Sequence, residues 1–456
     1  MKNIIALFLL PAIVSLGNAQ QFQEFLSRVN SAPDSLKPAI VDSFMEAVEG
    51  FPLIEHDMFA HFIYRGNANR VNVPGDANSW DPSAYPMTRV EGTDLWYMKQ
   101  TFESDARLDY KFVLNGSAWI LDPLNPHRVS GGFGPNSELR MPDYVPAPEI
   151  EYYPDIPHGA LWDTTFFSPQ LGNSRRIRIY TPPGYETSSD SFGTILFHDG
   201  LEYVSLANTD NVLDYLIWHN WIQPVIAVFV PPVNRTPEYA GNQKDEFTAF
   251  IVDEIIPWVD SKYRTIQDPA YRSTLGASNG GNIALWLGLQ HPEVFGNIAA
   301  QSSNVETSIS SGFQNSPTLD VKFYLDLGTY DIQLLIPLVR GFKEILESKG
   351  YTFEYYEFHE GHSWGNWRAH IDNTLEFFFP ADTTQLKGDV NGDRTIDVMD
   401  ALLAINILLE ISEPTAEEIQ AADCNGLMNI CDGDGAVNIL DVIKIIRLTL
   451  DLEACQ

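Results

Sequence analysis

The stretch Gly276-Ala277-Ser278-Asn279-Gly280 carries the clearest chemistry in the sequence. It matches G-x-S-x-G, a pattern in which small residues allow a strained strand-to-helix turn that pushes a serine hydroxyl out of a sheet. The bare pattern occurs often by chance, and the alternative is a plain tight turn. Here a strand-like run, Ser273 to Leu275, precedes it and a helix opens at Gly281-Asn282, so that backbone N–H groups aim at developing negative charge. Ser278 is therefore expected to be a nucleophile in acyl transfer.

Such a serine needs a base and an acid, placed on loops after later strands in the order serine, acid, histidine. The run Val321 to Leu327 leads into Gly328-Thr329-Tyr330-Asp331, and Phe353 to Phe358 leads into His359-Glu360-Gly361-His362. Asp331 is expected to orient the imidazole, and His362 to take the Ser278 proton and return it to the leaving alcohol. Asp326 lies inside its strand and His359 at a strand end, so both read as structural rivals. The oxyanion requires two donors. The Asn279 amide is one, and the loop His198-Asp199-Gly200-Leu201 supplies the other through Leu201 or Gly200. His198-Asp199 alone reads as structural rather than metal-binding. Trp364 and Trp367 follow His362 closely enough to border the substrate pocket, or else to pack its loop.

A second chemistry stands at the far end of the chain. Asp389, Asn391, Asp393, Asp397 and Asp400 occupy positions 1, 3, 5, 9 and 12 of a twelve-residue loop, with a carbonyl at Thr395, which is calcium-loop spacing. A helix follows from Ala401 to Leu409. A second copy ends at Asp441, with Asp432, Asp434 and Asn438 at positions 3, 5 and 9 and helix Val442 to Leu450, but Ile430 falls at position 1. Asp423-Cys424-Asn425-Gly426 looks like the opening of that loop displaced by an insertion. Cys424 and Cys431 are candidates to close it as a disulfide, while pairings with Cys455 remain open.

The elements that position these groups divide the chain. Residues 1–19 read as an export signal, with Lys2, an apolar run from Ile4 to Val14 and Gly17-Asn18-Ala19 at the cleavage site; the run is too short to span a membrane. Residues 20–50 carry apolar residues at helical spacing. Residues 51–145 hold short strand-like runs (Met58 to Tyr64, Leu95 to Phe102, Leu108 to Leu114) between turn residues, as in a small β-sandwich. Five prolines between Pro142 and Pro157 mark a stiff linker, assigned to 146–158. In 159–380 apolar strands alternate with helical segments such as Glu246 to Val259 and Gly280 to Gln290, implying a mostly parallel sheet covered on both faces. A joint at 381–386 precedes the acidic tail, 387–456.

Composition narrows the partners. The 456 residues are 44% apolar and 12% aromatic, as folded cores require, and 61 Asp+Glu against 28 Lys+Arg leave a net charge of −33. That balance argues against nucleic acid and anionic lipid as natural partners. From Lys387 to Gln456, 14 acids face 4 bases, and all three cysteines lie there, so thiol chemistry is excluded from the larger part of the chain.

Arg178-Ile179-Tyr180-Thr181-Pro182-Pro183-Gly184-Tyr185, His198-Asp199-Gly200, Asn234-Arg235 with Glu238-Tyr239, the Gly276-to-Gly281 elbow and His362-Ser363-Trp364 with Trp367-Arg368 together resemble the esterase D superfamily. That superfamily includes feruloyl and acetyl xylan esterases of carbohydrate esterase family one and the enterochelin esterases. The resemblance covers about residues 160–380 and implies an α/β-hydrolase fold, ester hydrolysis without a cofactor, and the same roles for Ser278, Asp331 and His362. Val73-Pro74-Gly75-Asp76, Trp80-Asp81, Tyr110-Lys111-Phe112, Trp119 and Leu121 to Pro126 resemble an early-set domain, where Trp80 and Trp119 are candidates to stack sugars or to fill the core. The duplicated loop-helix tail resembles a dockerin, which implies a small helical calcium module with a cohesin partner. The expectation is a secreted serine esterase acting on feruloyl or acetyl esters of plant or algal polysaccharide or oligosaccharide. A siderophore or other small-ester esterase is the enzymatic alternative, and a non-catalytic carbohydrate-binding or adhesion protein the non-enzymatic one.

Overall fold

In a computed structural model of the protein, the described residues are 21–381, 388–391, 396–409, 411–412, 414, 416–424 and 437–450. The export segment and nearly all of the joint at 381–386 lie outside them. The chain forms two compact units. One comprises Met1–Val145 with Thr329–Ile332 and Phe358–Ser363, the other Pro146–Gly328 with Gln333–Glu357 and Trp364–Gln456.

The second, larger unit is built on a sheet with strand order Ala160–Ser168, Asn173–Thr181, Val225–Val230, Gly193–His198, Arg272–Ala277, Asn297–Gln301, Lys322–Tyr330 as far as Gly328 and Thr352–Gly361 as far as Glu357. The first two strands are antiparallel, and from Val225–Val230 to Lys322–Tyr330 neighbours run parallel. The period of two along a strand sorts side chains to opposite faces. Val225, Ala227 and Phe229 thus join Phe197, Tyr203 and Leu275 in one apolar cluster, while Ile226, Val228 and Val230 join Leu196, Tyr239 and Phe250 in another. Continuous apolar runs are what a parallel sheet buried on both faces demands.

Two expectations are corrected in this unit. Glu246 to Val259 is not one α-helix: Lys244–Ala249 and Ile256–Lys262 are α-helical, and Phe250–Ile255 between them is π-helical. Pro257 has no N–H for an α-helical bond, and a widened turn just before it absorbs that defect. The supposed linker at 146–158 is packed. Pro148–Ile150 forms a 3₁₀ turn, Ile150 is buried in the first cluster, and the Nδ2 groups of Asn208 and Asn211 donate to its carbonyl at 3.0 and 3.1 Å.

The first unit opens with the helices Gln21–Ser31 and Lys37–Ala47, whose Phe25 and Phe44 rings stack at 4.0 Å. Its strands form a four-stranded sheet (Leu53–Glu55, Phe59–Arg65, Leu95–Thr101, Thr88–Arg89), a three-stranded sheet (Val71–Asn72, Phe112–Leu114, Ala118–Ile120) and the ladder of Arg107–Tyr110, Gly134–Arg140 and Arg128–Gly131. The single strand expected over Leu108 to Leu114 breaks at Lys111, whose amide donates to Pro74 O at 2.9 Å. The chain changes partners there, pairing with Gly134–Arg140 before the break and with Val71–Asn72 and Ala118–Ile120 after it. One apolar cluster, including Phe62, Val73, Trp96, Leu108, Phe112 and Leu139, lies under all three groups.

Candidate active site

In the larger unit Ser278 stands between the strand Arg272–Ala277 and the helix Asn279–Gln290, at φ 57 and ψ −121. A non-glycine residue rarely tolerates that conformation, and its persistence at a strand-to-helix turn requires support from its surroundings. The support comes from close backbone packing. A Cβ on Gly276 would lie 2.4 Å from the Gly280 carbonyl, and one on Gly281 would lie 2.9 Å from Ser303 Cβ. The Ser278 amide donates to Gln301 O at 2.8 Å, which ties the elbow to the next strand. Asn279 opens the helix, where first-turn amides have no intrahelical acceptor.

The loop after Gly193–His198 is fixed equally tightly. Asp199 is left-handed at φ 53, and the helix Gly200–Ala207 begins immediately after it, so Gly200 and Leu201 also present first-turn amides. A side chain at Gly200 would collide with Val230 N at 2.3 Å. Arg235 grips Asp199 through two bonds of 2.8 Å and donates to Ala277 O at 3.2 Å, linking this loop to the residue before Ser278. Burial pushes the Asp199 carboxyl up, and Arg235 opposes that shift. His198 is fully buried, its Nε2 is 2.9 Å from Thr274 Oγ1, and burial drives its imidazole down to about 3, as suits a neutral structural histidine.

In the smaller unit His362 Nδ1 meets Asp331 Oδ1 at 2.7 Å, with Asp331 buried. This contact turns Nε2 away from the carboxylate. Asp331 also accepts from the Ile332 amide at 2.6 Å. The rivals are engaged elsewhere. His359 pairs with Asp105 at 2.6 Å on the surface, and Asp326 accepts from Gln301 Nε2 at 2.9 Å.

Trp364 and Trp367, expected as possible pocket walls, are core residues. Both are buried in the apolar cluster, their rings 5.1 Å apart, with Tyr203 also 5.1 Å from Trp364. The short helix Trp364–Arg368 turns them inward, so they pack the segment after His362. Gln301 was not legible in the sequence. It accepts from Tyr203, donates to Asp326 and to Trp367 O, and receives the Ser278 amide, yet nothing distinguishes it from any polar residue at a strand end.

Residues 168–378 match the family described as "Putative esterase", and residues 387–427 match the dockerin type I domain. The chain carries an esterase domain followed by a dockerin domain. Its class is that of the carboxylic ester hydrolases. A curated relative, the endo-1,4-beta-xylanase/feruloyl esterase of Xylanibacter ruminicola, is 26% identical over 167 residues, 33% of this chain and 23% of that protein. The iron(III) enterobactin esterase of Escherichia coli O6:H1 is 27% identical over 262 residues, 51% of this chain and 64% of that protein. Among solved structures, the enterobactin esterase of Shigella flexneri shares the fold with a TM-score of 0.63 and 21% identity, covering 74% of this chain and 97% of that one.

The dockerin domain shows its repeat in its hydrogen bonds. Asp397 caps the helix Val398–Leu408 by accepting from Met399 N at 2.6 Å, and Asp400 accepts from the amides of Val390, Asn391 and Asp397 at 2.7, 3.1 and 2.7 Å. Asn438 caps Ile439–Thr449 in the same way, and Asp441 accepts from the amides of Cys424 and Asn438 at 2.9 and 2.7 Å. Cys424 therefore takes the place in the second copy that Val390 holds in the first, and both are buried in the domain's apolar cluster. The helices begin three residues earlier than the sequence suggests, because Asp397 and Asn438 act as caps. Asp393, Thr395, Asp432, Asp434 and Cys431 lie outside the described residues. Among the described residues no group of three or more His, Cys, Asp or Glu is gathered for a metal. Asp389, Asn391, Asp397 and Asp400 all carry oxygen donors, the chemistry that suits a hard cation such as calcium.

Proposed function

We propose that the protein is a secreted serine esterase that removes feruloyl or acetyl groups from plant or algal polysaccharide. Ser278 attacks the ester carbonyl while His362 Nε2 takes its proton, and Asp331 holds the imidazole in the required tautomer. The tetrahedral oxyanion is received by the Asn279 amide and by that of Leu201 or Gly200. His362 returns its proton to the leaving alcohol, and water, deprotonated by the same imidazole, releases the acid from Ser278. The observation that carries this reading is the strained, backbone-packed Ser278, with the tight Asp331–His362 bond in support.

The substrate reading rests on the dockerin domain and on the xylanase/feruloyl esterase relative. We assign residues 51–145 to a β-sandwich, 159–380 to the catalytic domain and 387–456 to a calcium module that docks on a cohesin-type scaffold. Calcium would be held by Asp389, Asn391, Asp393, Asp397 and Asp400, offsetting their mutual repulsion. Export through residues 1–19 fits that setting, and among the described residues no helix is long and apolar enough to cross a membrane. In the β-sandwich Trp80 and Trp119 stack at 6.4 Å with Trp119 exposed, an arrangement able to take a sugar ring. Siderophore hydrolysis is the second reading, favoured by the enterobactin esterase relative.

The deciding experiment offers the full chain methyl ferulate, acetylated xylan and a catecholate siderophore. Hydroxycinnamate or acetyl esters should be cleaved at kcat/KM of about 10⁴ M⁻¹s⁻¹ or above. Preference for the siderophore by orders of magnitude would overturn the substrate and leave the triad standing. Ser278→Ala should abolish turnover of a p-nitrophenyl ester in a folded protein, and more than a few per cent residual activity would remove Ser278 from its role. Chelation should lower the unfolding temperature of the dockerin domain without changing esterase activity.

A further inference from the structure

His362 is flanked by residues that a buried guanidinium holds. Arg107, on the strand Arg107–Tyr110, has no exposed surface. Its Nη1 donates to Ser363 Oγ at 3.1 Å and lies 3.7 Å from Glu360 Oε2, so it grips the chain on both sides of the histidine. The backbone repeats the attachment, because Glu360 pairs with Arg107 as a parallel bridge. Gly361, between them, backs onto Asp76, where a Cβ would lie 2.1 Å from the carboxyl carbon. The acid loop is tied to the residues just before the strand Arg107–Tyr110, since Tyr330, next to Asp331, donates to Glu103 Oε2 at 2.6 Å.

Arg107 is itself pinned. Nε donates to Glu138 Oε1 at 2.6 Å, Nη2 is 2.7 Å from Asp109 Oδ1, and Glu138 is shared with Arg140 through Arg140 Nε at 2.7 Å. Asp109 is held by Asn136 Nδ2 at 2.8 Å, and its amide donates to Asp76 Oδ2 at 2.8 Å. Burial opposes the guanidinium charge, but Asp109, Glu138 and Glu360 outweigh it and push its pKa up, so Arg107 stays cationic at every relevant pH. Burying so many charges is costly compared with apolar packing and is poor evidence for stability. What this network does supply is direction, because a planar fork with fixed partners leaves the residues it holds little freedom.

We propose that Arg107 is a positioning residue for the reaction, holding the segment Glu360–Ser363 so that His362 keeps the orientation set by Asp331. The proposal rests on the reading of His362 as the general base. It gives the first 145 residues a part in catalysis that requires no contact with substrate.

The test compares Arg107→Lys, Glu360→Gln and Ser363→Ala in the full chain, with Ser278→Ala as reference. Circular dichroism reports folding, a p-nitrophenyl ester gives kcat and KM, and the rate of Ser278 labelling by a fluorophosphonate reports base assistance independently of turnover. Arg107→Lys keeps the charge and loses the fork. It should lower kcat by about 10- to 100-fold, the scale of a small misplacement of a catalytic group, with KM nearly unchanged and labelling slowed in parallel. Glu360→Gln and Ser363→Ala, which keep the arginine and its other partners, should show the same pattern at roughly 3- to 10-fold, each removing one contact of the fork. Folded variants with kcat and labelling within twofold of the original would overturn the proposal, even if their melting temperatures fall. Should Arg107→Lys not fold, the other two variants decide by the same criterion. Turnover that survives in Ser278→Ala would instead strike the triad reading, so the two failures are distinct.

Discussion

Around Ser278 the neighbours are mainly glycines, amides and apolar side chains, with the single ion pair of Arg235 and Asp199 behind them, whereas around His362 they are mainly charges. At the elbow the exclusion of Cβ atoms at Gly276, Gly281 and Gly200 sets the backbone, and the Ser278 amide bond to Gln301 and the Arg235 bond to Ala277 O fasten it. At the histidine, Arg107, Glu138, Asp109 and Glu360 set a segment that has no such steric confinement apart from Gly361. A nucleophile in a strained turn needs a backbone that cannot relax, and close packing provides this without regard to pH or salt. An imidazole needs its ring plane and tautomer fixed, and hydrogen-bonded charges specify direction better than contact does. The two regions should therefore fail in different ways.

The largest expected effect tests the histidine side. Asp331→Asn keeps the shape but offers Nδ1 an amide, and kcat should fall by about 10⁴-fold with stability nearly unchanged, as when a triad acid is replaced by its amide. A fall below tenfold would mean that Asp331 does not orient His362. On the elbow side Gly276→Ala changes no charge, yet its methyl group meets the Gly280 carbonyl at 2.4 Å. It should lose about 10²-fold or more in kcat and several degrees in melting temperature at every pH, since backbone must shift to admit it. A variant that melts and turns over like the original would break the contrast drawn above.

A smaller effect comes from Glu149, a buried carboxyl in the same unit as the elbow. Burial, and then the nearby Asp372 carboxylate, push it up to about 7. The native state then holds a proton that the unfolded chain releases, so stability falls as pH rises from about 4.5 to about 7. Glu149→Gln should raise stability at pH 8 by on the order of 1–2 kcal/mol and change it little at pH 4.5. Denaturant midpoints at the two pH values would show this, and an equal shift at both would contradict it. The smallest effect belongs to His359→Ala. Its surface pair with Asp105 is worth about 0–1 kcal/mol, and activity should stay within about twofold.

What was legible in the sequence followed the same division. The elbow could be read because its chemistry is local, with the small residues and the serine falling within five consecutive positions. Asp331 and His362, which lie 2.7 Å apart, could be picked out as a candidate pair from strand order, since each follows an apolar run. Arg107 could not, because its partners lie some 30 and 250 positions away. Its one local trace is an arginine and an aspartate alternating with Leu108 and Tyr110, which reads equally well as an exposed strand face. The strands Ala160–Ser168 and Asn297–Gln301 escaped for a related reason. The first has mostly exposed side chains and little apolar alternation, and the second is five residues long with Ile298 as its one large apolar side chain. The tryptophans after His362 misled because two rings beside a candidate catalytic loop look like a pocket until the helix that buries them is seen.

The smaller unit is discontinuous in sequence, with Thr329–Ile332 and Phe358–Ser363 completing what Met1–Val145 begins. During synthesis the strand Arg107–Tyr110 emerges long before Glu360 and Ser363 exist to meet its arginine. At about 5–20 residues per second the wait is on the order of ten to fifty seconds. Throughout that interval the strand Arg107–Tyr110 lacks its Glu360 neighbour and Arg107 lacks the two partners it finds at Glu360 and Ser363. Pairing of the acid and histidine loops is then a late event in the life of the chain, and under the proposed mechanism the base is in place only after the ribosome has passed most of the esterase domain.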